Sequence, residues 1–137
     1  MPMPTAESET LNWEADAIIQ RYCAEHDRQP DEGADCLDAL KQFLFVCSRG
    51  DGIRAPSEAI DDMWHTALLF TRSYQAFCAE QLGAYIHHEP VAKPAPASVY
   101  ALTRDEANVI FGPLDDRFWS SVSEVARCGG CGSIYVP

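Results

Sequence analysis

Basic side chains are scarce in this sequence. Ten Lys and Arg stand against 21 Asp and Glu among 137 residues, a formal net charge of −11. Such a chain would repel polyphosphate rather than neutralise it, which excludes sequence-independent DNA or RNA binding and, equally, docking on an anionic membrane. Long apolar runs are also missing, and no stretch approaches the ~20 apolar residues that span a bilayer. Met1-Pro2-Met3-Pro4-Thr5-Ala6-Glu7 offers neither a basic region nor an apolar one, so no secretory signal is expected and a cytoplasmic location is. The familiar catalytic signatures are absent: no GxGxxG, no GKS or GKT loop, no GxSxG, no HExxH. No internal repeat is visible. No alternating strand of convincing length appears either; Ser133-Ile134-Tyr135-Val136 is the best candidate, short and terminal.

What is present is apolar enough to fold. Hydrophobic residues make up 47% of the chain, too many for a disordered protein, and the length suits a single domain over 1–137. The first seven residues look frayed. Ser8 is placed as an N-cap, after which Leu11, Ala15, Ile18 and Tyr22 recur on one helical face up to about Asp27. Pro30, Asp31 and Glu32 suit the first turn of a second helix. It carries Leu37, Leu40, Phe43 or Leu44, and Cys47 on its apolar side and closes at Arg49-Gly50-Asp51-Gly52. A third, apolar on most sides and therefore central, is expected from Pro56-Ser57-Glu58 to Gly83. Residues 90–98 read as a Pro-rich connector, and Thr103 to Glu106 as a capping box opening a short helix that Gly112-Pro113 ends. One or two further turns over 115–125 would bury Phe118 and Trp119, leaving a Gly/Cys tail over 128–137. The fold class expected is all-α: a bundle of three longer helices plus one or two short C-terminal ones. Cys23, Cys36, Cys47 and Cys78 fall within helical patterns and read as small buried hydrophobes rather than as a disulfide framework.

Three sets of residues could carry chemistry. Asp61 and His65 are i,i+4 neighbours, so their side chains can touch. They form either a structural Asp–His pair or a histidine oriented as metal ligand or general base. His87 and His88 are adjacent, so in extended chain at most one faces a common site. A straight third helix would carry His65 too far from either, so a shared site requires the helix to bend or stop near Thr71-Arg72-Ser73. Cys128 and Cys131 have the spacing of a zinc knuckle, but no second CxxC exists, so zinc would need His87, His88 or a helical cysteine as well. Acidity is concentrated at the N-terminal end: residues 1–38 hold ten acidic and two basic side chains. That face is either merely solvated or a docking surface for a partner protein with a basic surface.

Ile60-Asp61-Asp62-Met63-Trp64-His65, Tyr74, Phe77-Cys78, Gly83, Ile86, His88 and Pro90 together resemble the helical domain of the glycine-rich domain-containing protein-like family. The resemblance covers about residues 56–90 and singles out Asp61, Trp64, His65, Cys78 and His88 as a cluster. It implies an all-helical domain, with Cys128 to Gly132 as a short relic of a Gly-rich tail. A second histidine of that pattern falls on Ala67 here. The leading functional expectation is a non-enzymatic binding module that offers its acidic face, or a groove near His65, to a partner. The alternatives are a zinc protein using His87 or His88 with Cys128 and Cys131, and an enzyme with His65 as base and Asp61 as its orienter.

Overall fold

The computed structural model describes residues 11–50, 52–127 and 131–137, with backbone alone at 92, 126–127 and 131–133. The fold class is all-α, with one small ribbon added. The first helix, α1, runs Asp16–His26. It begins later than the stripe from Leu11 suggests, although Leu11 and Ala15 are buried; Ser8 lies outside the described residues. Asp27 closes α1 with a left-handed φ of 53°, a conformation that Asp tolerates better than most side chains. Helix α2, Pro30–Arg49, starts where the sequence places it, with Pro30 in the first turn. Gln29 and Glu32 form a reciprocal capping box that satisfies two orphan N–H groups.

Gly33 on α2 sits against Ile19 and Cys23 of α1. A Cβ there would meet Cys23 Sγ at 2.5 Å and Ile19 Cγ2 at 3.0 Å. Gly33→Ala therefore forces Cys23 to rotate and give up its 3.4 Å contact with the Gln29 carbonyl. Overpacking costs about 1–3 kcal/mol and the helix gains about 1 kcal/mol from losing glycine. Urea unfolding is expected to register a net loss of about 1 kcal/mol that Cys23→Ala, in the same chain, restores.

The third helical segment does not run unbroken. Helix α3, Glu58–Leu69, is capped by the Ser57 hydroxyl, which accepts from the Ile60 N–H. At Phe70 the chain leaves helical geometry (φ −96°, ψ 68°), and α4, Thr71–Phe77, starts in a new direction. The break has a packing cause: it turns Ser73 and Phe77 towards Trp13. The Trp13 indole N–H donates to Ser73 Oγ at 2.9 Å and its ring stacks on Phe77 at 4.2 Å. A π-helical turn, Cys78–Leu82, then widens the coil before Gly83 ends it at φ 77°.

Two further expectations change. The Pro-rich connector contains strand β1, Glu89–Ala95, which pairs antiparallel with β2, Cys131–Ile134. Its Pro residues are tolerated because a two-stranded ribbon consists of edges. Thr103 is not an N-cap either. Helix α5 spans Ala97–Phe111, starting six residues earlier, and Thr103 lies buried inside it. There the Thr103 hydroxyl donates to the Val99 carbonyl and accepts from the Ala55 N–H, work inside the core that resembles a cap only in sequence. A short helix α6, Val122–Arg127, follows, and Phe118 and Trp119 are fully buried as expected. Cys36, Cys47 and Cys78 are buried free thiols, with Cys23 half-buried. Burial pushes the Cys36 thiol up to about 11, so it behaves as an apolar side chain. Among the described residues no helix is long and apolar enough to cross a membrane.

Candidate metal centre

The break at Phe70, the π turn and the stop at Gly83 together reverse the chain, so that residues 86–88 return alongside α3. Two hydrogen bonds lock this return. The buried Trp64 indole N–H donates to the Tyr74 hydroxyl at 3.0 Å, and that hydroxyl donates in turn to the Ile86 carbonyl. Burial pushes the Tyr74 phenol up, so it remains a donor at every physiological pH. Cys78 is buried beside this relay; burial also pushes its thiol up, and it fills space rather than facing the open site.

With Ile86 fixed, His88 lies edge-on to Trp64, the ring centroids 4.6 Å apart, and its Nε2 approaches Asp61 Oδ1 at 3.2 Å. Asp61 is one turn before His65 on α3, and the same Oδ1 stands 3.6 Å from His65 Nε2. The two imidazoles are 4.6 Å apart by centroid. One potential ligand atom from each of Asp61, His65 and His88 lies within 4.8 Å of the other two. Asp61 and His88 are largely enclosed, whereas the His65 side chain is 53% exposed. The site is thus open on one side and sealed by Trp64 on the other.

A carboxylate and two imidazoles are donors suited to zinc, iron, nickel or copper rather than to magnesium or calcium. A tetrahedral ion with bonds of about 2.0–2.1 Å separates its ligands by about 3.3 Å. The Asp61–His88 pair already has that spacing, and the exposed His65 ring is free to swing inward.

The sequence-derived candidates divide accordingly. Asp61, Trp64, His65 and His88 come together. His87 points elsewhere, exposed and edge-on to the Tyr85 ring at 4.6 Å. Cys128 lies outside the described residues, and Cys131 is described by backbone alone. Its backbone sits opposite Ala95, whereas Glu89, next to His88, pairs with Ile134. Sequence reasoning missed Tyr74 and Ile86 as the supports of the site. The ten-residue spacing of Trp64 and Tyr74 offered a signal, but only the break at Phe70 turns it into a hydrogen bond.

The acidic N-terminal face is partly neutralised from within. Glu25 pairs with Arg21, Glu32 with Arg28, Asp38 with Lys41, and Asp35 with Arg117 at 2.8 Å. It presents less free charge than the composition of residues 1–38 implies.

No curated protein and no solved structure matches the chain. A family match does exist, and it corrects the resemblance drawn from the motif: residues 11–98 match the UCP032817-like family, not a glycine-rich domain-containing one. The resemblance rested on residues 56–90 alone, and a match over that span says nothing of the two helices before it. The longer match takes in α1 through β1 and all three converging side chains, and on that ground the chain belongs to the UCP032817-like family.

Proposed function

We propose that this protein binds one divalent transition-metal ion through Asp61, His65 and His88. The observation that carries the reading is the convergence of these three side chains from two separate segments, with the ligand-type atoms within 4.8 Å of one another. A structural Asp–His pair would need only Asp61 and His88, yet His65 stands over the same carboxylate oxygen from the solvent side. Two imidazoles flanking one carboxylate make a donor set of the kind found around zinc and non-haem iron. Three protein ligands on one side leave the outer positions to water or to a small ligand.

The ligand set differs from the zinc site expected on sequence grounds, in which His87 or His88 would join Cys128 and Cys131. Here His88 is already engaged by Asp61 and Trp64. The reading of His65 as a general base oriented by Asp61 draws less support, since the nearer partner of Asp61 is His88.

The test is a titration of chelator-stripped protein with Zn²⁺ by calorimetry and with Co²⁺ by visible absorption. One equivalent is expected, with the d–d intensity of a low-coordinate cobalt site. His88→Ala is expected to weaken binding by more than about 100-fold, since loss of a mere supporting partner already costs 10–100-fold. His87→Ala, next to it in sequence, is expected to change nothing. Absence of stoichiometric binding to the wild-type protein, or equal loss in both variants, would overturn the assignment.

A further inference from the structure

A histidine that binds a metal through one ring nitrogen almost always gives the N–H of the other to an outer partner, which fixes the ring. His88 is held by the Trp64 ring and by the anchored Ile86 carbonyl two residues before it. His65 has no comparable support. Its side chain is 53% exposed, and among the described residues its polar contact is with the Asp61 carboxylate at 3.6 Å. Its second ring nitrogen is unengaged.

Asp62 stands on the other side of that ring. At ~100° per residue, His65 projects from α3 between two carboxylates of the preceding turn, about 40° from Asp61 and about 60° from Asp62. His88 occupies the Asp61 side. The Asp62 side faces the end of α1, where the Thr66 hydroxyl donates to Glu25 at 3.4 Å and His26 is close enough to act on the Asp62 charge.

Within the fold Asp62 is a cost. Its carboxylate is half-buried, yet among the described residues no hydrogen bond and no ion pair reaches it. It lies just past the first turn of α3, whose acidic members are Glu58 and Asp61, so the helix dipole favours it little. Burial pushes its carboxyl above the usual range; Glu58 and Asp61 add to that push, while His26 and His65 oppose it. An unpaired, partly desolvated charge weakens a fold unless something else engages it.

We propose that Asp62 is the outer carboxylate of the metal site, accepting a hydrogen bond from the second ring nitrogen of His65 and so aiming the first at the ion bound with Asp61 and His88. The proposal rests on metal binding by those three residues. Asp62 is then a positioning residue rather than a ligand: it holds the one exposed ligand, whose ring would otherwise have to be ordered at the moment of binding.

Calorimetric titration of chelator-stripped protein with Zn²⁺, paired with urea unfolding of the metal-free forms, tests this. Asp62→Ala is expected to bind one equivalent about tenfold or more weakly, in the range for outer partners of metal-bound histidines. Its metal-free form is expected to unfold at the same urea concentration as the wild type or a higher one, because the lost carboxylate supports nothing in the fold. Glu58→Ala removes a nearby charge of the same sign, and His26→Ala removes the neighbour of Asp62 on α1; each should change affinity by less than about threefold. An unweakened Asp62→Ala, an equal loss in Glu58→Ala or His26→Ala, or a loss of affinity matched by a lower urea midpoint would each overturn the role of Asp62 while wild-type binding still stands. A wild type that takes up no zinc removes the three-ligand site and its outer carboxylate together.

Discussion

Trp64→Ala is expected to remove about 3–5 kcal/mol of stability, the range found when large buried aromatic residues are truncated. Trp64 has no exposed surface. Its ring meets Phe43 edge-on at 5.1 Å on one side and His88 at 4.6 Å on the other, so truncation leaves a cavity that two elements cannot both collapse to fill. It also takes away the N–H that the Tyr74 hydroxyl accepts. Against a total stability of about 5–15 kcal/mol for a domain of ordinary size, this is a large fraction. The urea midpoint should fall steeply with little change in slope. Trp64→Phe keeps an aromatic ring against Phe43 and should cost less, about 1–3 kcal/mol, through the lost hydrogen bond and the partly refilled space. An unchanged midpoint in Trp64→Ala would mean that this indole is not the joint between α3 and the returning segment.

Tyr74→Phe is the second large effect and the more diagnostic one, because it deletes one oxygen atom. That oxygen accepts from the Trp64 indole and donates to the Ile86 carbonyl. Its removal leaves a buried donor and a buried acceptor unpaired, at about 1–3 kcal/mol each, so a loss of about 2–6 kcal/mol is expected. The effect should reach the metal site as well. Ile86 is two residues from His88, and an Ile86 carbonyl free to turn towards water no longer fixes where His88 sits. Metal affinity is expected to fall about tenfold, within the range for supporting residues of metal sites. Tyr85→Phe, at a half-exposed ring that packs edge-on to Tyr74, should move stability by less than about 0.5 kcal/mol. A Tyr74→Phe variant that binds metal as tightly as the wild type would separate the relay from the site.

Much of the helical frame was legible before any coordinate. Pro30, with the acidic residues after it, marked the start of α2; Ser57 marked that of α3; Gly83 marked the end of the third segment. Each works through backbone chemistry within four residues of itself, through a missing N–H, a hydroxyl acceptor or a permitted left-handed φ. The misreadings share the opposite property. Thr103 and Glu106 have capping-box spacing, but Thr103 serves the Ala55 N–H from inside a helix, and Glu106 serves Arg54. Both partners lie about fifty residues away, beyond anything local spacing encodes. The segment over 90–98 reads as a connector because three prolines dominate its composition, yet β2 supplies a neighbouring edge that makes it a strand as far as Ala95, and its last two residues open α5.

The site shows the same division. Sequence by itself determined that Asp61 and His65 share a face of one helix, that His87 and His88 cannot both look the same way, and that a shared site needed a break close to Thr71. These follow from the 100° and 180° repeats of helix and strand and from the reach of a fixed number of residues. Tertiary structure alone decided that the break falls at Phe70, that His88 rather than His87 turns inward, and that it meets Asp61. Those outcomes depend on Trp13 holding Ser73 and Phe77, and on Tyr74 spanning Trp64 and Ile86. Such contacts join residues up to 64 positions apart (Trp13 to Phe77), and their energies exist only once the chain has closed around them.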